Sequence, residues 1–373
     1  MIVNIEIMKL VDDRVHENIK RNGEDYVKKA AGLVLIGALS LGLAACGSSE
    51  EGEGAGANKS FEAKIDGAQY ILVSEQDGGV SGDEALLAVE LEVKNTSKDA
   101  ISLSSNDVSL YDGDEQLEPN TDVYSDEIEM SMRSGKIASD KSKKLTYLFN
   151  VEKDKEYEIG LQPISEDYDN KIEEVKLKLD TAKYEKSLKN LETPEKALTA
   201  YIDVLFLGKE NEDFDKYVVA DKEEVEKSAN KAFRESINKV FSNDLTEEGA
   251  SNLYKMYKDE LNSKATFEAK TIENVNGKAV VEVNYSGIGV YNLYNTVSDY
   301  KRAYYQETNE YDSKKQEAYA ISKFKDILGG AELKESNYPL EIEMVEKDGK
   351  WEVKPKDKYS DTVEKAFAAG DIN

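Results

Sequence analysis

Leu87-Ala-Val89-Glu-Leu91-Glu-Val93 decides how the first half of the chain folds. Apolar and acidic residues alternate, so an extended backbone sends one kind to each face, as a half-buried strand requires. Ile101-Ser-Leu103, Val108-Ser-Leu110-Tyr111, Leu145-Thr-Tyr147-Leu-Phe149, Tyr157-Glu-Ile159-Gly-Leu161 and Val175-Lys-Leu177-Lys-Leu179 repeat the theme. Asn95-Thr96-Ser97, Asp112-Gly113-Asp114 and Lys153-Asp154 supply turns between them. Residues 61–180 therefore read as an all-β sandwich.

Residues 181–192 read as a linker, and the apolar spacing lengthens there from two residues to about 3.6. Thr193-Pro194-Glu195 has the form of a helix start, with Thr as cap, Pro in the first turn and an early acid. Ala197, Leu198, Tyr201, Ile202 and Leu205 share a face, as do Val225, Ala229, Phe233, Ile237 and Val240 within Lys222–Phe241. Thr246-Glu247-Glu248 opens a third helix carrying Leu253, Met256, Tyr257 and Leu261. Strand patterns at 265–272 and 278–285 flank Asn276-Gly277, a strong hairpin signal. A long helical region follows over 292–328. Leu340-Glu-Ile342-Glu-Met344 and Lys350-Trp351-Glu-Val353 then pair across Asp348-Gly349, and Ser360-Asp361 is placed to cap a closing helix stopped by Gly370. Residues 193–373 thus read as an α+β domain, helices laid on an antiparallel sheet.

Both units resemble known modules. Leu87–Asn95, the Leu110-Tyr111-Asp112-Gly113-Asp114 turn and Tyr147-Leu148-Phe149-Asn150-Val151 resemble the immunoglobulin-like domain of unknown function carried by many Gram-positive lipoproteins. The Cys…Trp…Cys set of antibody domains is missing. The helix start at Thr193 and the Asp348-Gly-Lys-Trp-Glu-Val353 hairpin resemble the cystatin- or nuclear-transport-factor-2-like folds, one form of which is a domain of unknown function in such lipoproteins. The second resemblance implies a cone-shaped pocket able to host Asp/Tyr acid–base chemistry.

Composition limits the chemistry. The chain of 373 residues holds one Cys, one His, and 49 Lys and Arg against 76 Asp and Glu, a formal charge of −27. One Cys excludes an internal disulfide, a CxxC pair and a Cys-rich zinc site. One His leaves a Ser-His-Asp set only with His16 as base, and excludes a multi-His metal site. The charge argues against a nucleic-acid binder and against electrostatic docking on anionic lipid. No metal and no cofactor is expected. Asp112, Asp114 and Glu115 offer hard oxygens without the Gly and Glu spacing of an EF-hand, and a type I′ turn at Asp112-Gly113 accounts for them. Gly287-Ile-Gly289 lacks the third glycine of a dinucleotide loop. Ser298-Asp-Tyr-Lys301 and Ser322-Lys-Phe-Lys325 match an acylase S-x-x-K without its K-T-G partner, and read as solvated helix faces. Glu282, Glu341 and Glu343 alternate onto the polar side of their strands, so no enzyme is expected. Tyrosine is the unusual component, with Tyr291, Tyr294, Tyr300, Tyr304, Tyr305, Tyr311 and Tyr319 close together. Tyr300, Tyr304, Tyr305 and Trp351 form the candidate binding surface, against the simpler account of core-edge packing.

The amino end reads as an address. Lys28-Lys29 precede Ala30–Ala45, sixteen residues, short of the roughly 20 of a spanning helix. Residues 27–45 have the form of a signal peptide. They end in Leu43-Ala44-Ala45-Cys46-Gly47, which resembles the lipobox of bacterial lipoproteins; the resemblance implies cleavage before Cys46 and a lipid on its thiol. Residues 46–60, rich in Gly and Glu, read as a flexible acidic tether. Residues 1–26 carry acids where a signal peptide begins with bases, and are expected to be untranslated or part of an extended signal. Translation is expected to start at Val27, with Met1 and Met8 standing as the other candidate starts. Residues 1–45 hold six basic and six acidic groups, so the mature chain keeps the charge of −27 and has no histidine.

These readings predict a lipid-anchored protein on the extracytoplasmic face of a Gram-positive cell membrane. Its expected role is non-catalytic, binding an envelope protein or wall component, with the oligomeric state left open. A small-molecule or peptide receptor using the α+β pocket is the alternative, and a carboxylate/Tyr enzyme the next. The gene tests the start: codon 27 is expected to be GTG behind a purine-rich stretch encoding Arg21–Glu24, and any other codon there removes the Val27 start.

Overall fold

The computed structural model describes residues 54–74, 84–123, 125, 135–167, 170–241, 245–354 and 362–371. The signal-peptide and lipobox residues, Cys46 among them, lie outside the described residues, as do Ser360 and Asp361. Residues 51–373 form one compact unit.

The first domain is all antiparallel strand: β1 (Ala55–Ala57), β2 (Phe61–Ile71), β3 (Glu84–Asn95), β4 (Ile101–Leu103), β5 (Val108–Asp112), β6 (Glu115–Leu117), β7 (Gly135–Ile137), β8 (Ser142–Glu152), β9 (Glu156–Leu161), β10 (Ile164–Ser165) and β11 (Val175–Asp180). One sheet runs β1-β2-β3-β8, a second β11-β9-β5-β6, and a short third β10-β4-β7. The central strand β3 sends Leu87, Val89, Leu91 and Val93 inward, all fully buried. They share a core with Leu110, Ile159, Leu161 and Leu177 of the second sheet. Each such burial is worth roughly 1.5–3 kcal/mol.

Three boundaries differ from the sequence reading. Ala55–Ala57, expected within the tether, pair with Glu62–Lys64 of β2. Small residues permit this: a Cβ on Gly56 would stand 2.5 Å from Val175 Cγ1. The expected linker is structured, with a 3-10 turn at Thr181–Tyr184 and helix α1 (Glu185–Asn190). Tyr184, Leu188 and Leu191 recur at helical spacing and pack against the sandwich core. In the β5–β6 hairpin, Asp112 pairs with Glu115. The turn residues are therefore Gly113-Asp114, with positive φ at Gly113 alone, which is type II′ rather than I′.

The second domain contains α2 (Thr193–Ile202), continued by a wider π turn at Asp203–Leu207, then α3 (Asp213–Tyr217), α4 (Lys222–Ile237) and α5 (Glu247–Lys264). Strands β12 (Thr266–Val275) and β13 (Lys278–Gly287) follow, then α6 (Leu293–Thr308), α7 (Ser313–Ser322) and α8 (Phe324–Gly329). β14 (Lys334–Glu335), β15 (Leu340–Lys347), β16 (Lys350–Val353) and α9 (Val363–Phe367) close the chain. The sheet order is β12-β13-β15-β16, with β14 paired to β13. The fold class is thus two domains, all-β then α+β. Both residues of Asn276-Gly277 and of Asp348-Gly349 have positive φ, the signature of type I′ hairpins.

Several local details depart from the sequence pattern. The helical region at 292–328 breaks into three helices: the first break falls where Asn309 adopts a left-handed conformation, φ 54°, and Asp312 caps the next start by accepting from Lys314 N, and the second falls at Lys323, φ −101° and ψ 9°. Met256 is 41% exposed while Tyr254 is buried in its place. Thr193 is the first helical residue and does not cap. Thr362 caps α9 by accepting from Lys365 N.

Two β-bulges join the domains. In β2, Ile65 faces Leu91 but Gly67 faces Glu90, so Asp66 is an extra residue. Strand alternation reverses past it. Tyr70 then points into the sandwich core, and Ile71 to the outside of the sheet. In β12, Thr271 faces Val281 but Glu273 faces Val280, so Ile272 is extra and Val275, opposite Lys278, turns away from the helices. Ile71 and Val275 meet with Val73, Leu86, Ala88, Val123 and Leu148 in one buried cluster. Leu72 and Asn274 exchange backbone hydrogen bonds beside it, at 3.1 and 2.8 Å. Gln69 Nε2 donates to Asn276 Oδ1 at 2.6 Å, and Ser125 Oγ to Glu273 at 2.6 Å.

Leu86→Ala, which empties this seam without touching the sandwich core, is expected to cost about 2–4 kcal/mol. Chemical denaturation measures it; a loss below about 1 kcal/mol would mean that the seam is not a packed interior.

Candidate functional site

Helices α6 and α7 form an antiparallel pair that carries the tyrosines. Tyr300 is half-buried against the domain core. Tyr304 stacks on Tyr319 of α7, ring centroids 5.1 Å apart, and Tyr305 on Tyr311 at 4.7 Å with their hydroxyls 2.5 Å apart. Tyr300 and Tyr304 share a helix face, but their partners differ: core for one, a neighbouring helix for the other. Tyr291 and Tyr294 at the opposite end of α6 are 70% and 50% exposed. Tyrosine therefore stitches the helix pair at one end and stands free at the other. Glu317 of α7 is buried between these elements, 3.9 Å from Lys301. Its position inside an otherwise amphipathic repeat is not visible in the sequence.

Trp351 does not join the tyrosine surface. It is 3% exposed. Its Nε1 donates to Thr193 Oγ1 at 3.0 Å, and that hydroxyl donates to Asn190 O at 2.7 Å. Its carbonyl accepts from Val219 N at 2.8 Å. The indole thus fastens the edge strand β16 to the start of α2 and to the chain entering α4. The hydroxyl read as a helix cap is consumed in this junction.

Aromatic side chains pack the interior of the α+β domain, where the cone is expected. Phe206, Phe233, Tyr257, Phe324 and Phe367 are each at most 1% exposed within one core. Tyr257 donates to Ile288 O at 2.7 Å, and burial pushes its hydroxyl pKa upward. Tyr201 and Tyr254 are shifted upward by burial as well, with Glu364 adding to both. The strand carboxylates lie outside: Glu341 and Glu343 are exposed, and Glu282, half-exposed, sits opposite Glu341. Asp112, weighed as a metal ligand, pairs with Lys155 at 2.6 Å. Among the described residues no cluster of three or more His, Cys, Asp or Glu is set to hold a metal.

Among the described residues, three surface grooves can be traced. One of about 460 Å³ on the sandwich is lined by Tyr111, Tyr157, Lys178 and Lys183. One of about 330 Å³ lies at the domain junction, between Gln69, Lys186, Asn276 and Glu346. One of about 570 Å³ runs along α4 against β16 and α9. The third has an apolar floor of Val225, Ala232, Ile342 and Val353, and a rim of Glu224, Glu235, Glu352 and Glu364.

The fold defines a two-module protein, a sandwich sealed to a helix-covered sheet. Family models divide the chain in the same way: a domain of unknown function, DUF4352, matches residues 58–172, and another, DUF5105, matches residues 184–368. The chain is similar to the Bacillus subtilis (strain 168) protein described as uncharacterized lipoprotein YcdA. The two are 27% identical over 355 residues, covering 92% of this chain and 99% of the relative. The crystal structure of that lipoprotein covers 82% of this chain and 96% of its own, with a TM-score of 0.63 at 27% identity.

Trp351 is the chain's one tryptophan, so its fluorescence reports this junction alone. Emission is expected at the short wavelengths of a buried indole, with little acrylamide quenching. Trp351→Phe, which removes the donor to Thr193, is expected to cost about 1–2 kcal/mol in denaturation. Solvent-like emission from the native chain would contradict the burial.

Proposed function

We propose that the chain is a lipid-anchored, extracytoplasmic binding module that does no catalysis. The observation that carries this reading is the filled interior of the α+β domain. Aromatic rings occupy the place where a receptor or enzyme of this shape holds its ligand, so recognition falls to the outer surface. The buried tyrosine hydroxyls hold their protons more tightly than a free phenol, and the strand acids lie on the outer side of the sheet, away from those tyrosines. Neither suits an acid–base pair, which needs groups poised near the working pH.

Anchoring is supported by Leu43-Ala44-Ala45-Cys46-Gly47 and by the lipoprotein relative. A diacylglycerol on Cys46 supplies the two acyl chains that stable attachment requires. A body of charge −27 is repelled by anionic lipid and by polyanionic wall polymer. That favours an envelope protein as partner over the wall itself.

Metabolic labelling of cells with an alkyne-bearing fatty acid tests the anchor. The wild-type chain is expected to carry the label and sediment with membranes, and Cys46→Ala to lose both. A labelled, membrane-bound Cys46→Ala chain would overturn the assignment. Crosslinking in intact cells tests the module: a protein captured by the wild type supports it, and a co-purifying small molecule held in the α+β domain contradicts it.

A further inference from the structure

The groove along α4 differs from the rest of the acidic surface because its acids surround apolar ground. Val225 and Ala232 are half-buried on one face of α4, and Ile342 and Val363 lie buried across from them. Five carboxylates line it, Asp221, Glu224, Glu235, Glu352 and Glu364, against Lys354 and Lys365. The cations are partly spent: Lys354 is paired with Glu343 at 3.4 Å on the neighbouring strand. Glu224 and Glu235, both exposed, have no ion pair among the described residues. The stretch of α4 that walls the groove, residues 221–235, is about 20 Å long at about 1.5 Å per residue.

The opposite wall is a sheet edge. In the β15–β16 ladder Val345 faces Glu352 and Met344 faces Val353. Lys354 N donates to Glu343 O, and Val219 N donates to Trp351 O on the other side of the strand. Alternation then turns the N–H and C=O of Val353 outward with those of Trp351. Val219 covers the edge at Trp351, whereas Val353 has no backbone partner among the described residues. An apolar floor, an acidic rim and a strand edge that has no backbone partner at Val353 among the described residues together match one ligand chemistry. An extended peptide adds main-chain hydrogen bonds to an edge and sends alternate side chains to opposite sides.

We propose that the groove between α4, β16 and α9 binds an extended, cationic segment of a partner protein in which Lys or Arg alternates with aliphatic residues. The aliphatic side chains enter the floor, and the cations reach Glu224 and Glu235 on one rim and Glu364 on the other, Glu352 being already paired with Lys347. The occupant is a basic peptide rather than an anionic polymer, because Glu224 and Glu235 carry negative charge with no ion pair among the described residues. This inference deepens the reading of the chain as a binding module by naming the chemistry of its partner. It does not depend on the lipid, so loss of anchoring would leave it standing.

Fluorescence anisotropy with a labelled ten-residue (Lys-Val)5 peptide and the full chain in detergent tests it. Binding that weakens as salt is raised is expected, with (Glu-Val)5 not binding and (Lys-Ser)5 binding more weakly. Glu224→Lys/Glu235→Lys is expected to weaken (Lys-Val)5 roughly tenfold, as two exposed charge reversals allow. Glu210→Lys/Glu307→Lys makes the same change in net charge at exposed sites outside the groove, and is expected to leave affinity near the wild-type value. Circular dichroism melts show that both variants fold. No binding by the wild type, equal loss in both double variants, or equal binding of (Lys-Ser)5 would overturn the proposal.

Discussion

One extra residue in each of two strands holds this molecule together. Asp66 in β2 and Ile272 in β12 break strand alternation, and each moves the residues beyond it to the opposite face of the sheet. Without the first insertion Ile71 would point inward with Phe61, Ala63 and Ile65. Without the second, Val275 would point toward the helices. With both, the two side chains meet on the outer faces of their sheets, and the Leu72–Asn274 backbone pair lies beside them. Helix α1 and the Trp351–Thr193 junction build on that contact: Ser187 Oγ accepts from Tyr70 N at 3.0 Å, and Asn274 Nδ2 donates to Asn190 O and Leu191 O. The segment between the domains is thereby held from both sides.

Sealing the domains and filling the core both take apolar surface out of water. The interior of the α+β domain packs Phe206, Phe233, Tyr257, Phe324 and Phe367 together. The sandwich spends one outer sheet face on its neighbour. The remaining surface is strongly negative, and some of its cations are held in local pairs such as Lys64–Glu92 and Lys315–Glu310. Selectivity on such a surface has to come from where apolar ground and strand edge coincide with the charge.

The fold class was legible because period-two and helical spacing are long-range patterns that survive small errors. Leu87, Val89, Leu91 and Val93 needed nothing but their spacing, and the Asn276-Gly277 and Asp348-Gly349 hairpins nothing but their turn chemistry. The seam was written less plainly. Ala85-Leu86-Leu87-Ala88-Val89 is continuously apolar where half-buried alternation was assumed, because a second domain covers the other face. Gly67 inside a strand pattern was the local hint of the bulge. Trp351 was misplaced on the surface because polar neighbours, Lys350 and Glu352, flank it on an edge strand, and only the tertiary contact with α2 shows what the indole covers. The tyrosines shared a helix in sequence, but α7 decides which of them pair. The acid-rimmed groove could not be found from sequence, since its walls come from residues more than a hundred positions apart.

The inherited modules and the folding unit do not coincide. Separate families match residues 58–172 and 184–368, as if the chain were assembled from exchangeable parts. Yet the seam draws Ile71, Leu86 and Leu148 from the first part and Val275 from the second. A sandwich released from its neighbour would present that apolar face to water and to other copies of itself. A domain exchanged into the second position would therefore have to bring an apolar face that covers Ile71, Leu86 and Leu148 as Val275 does here.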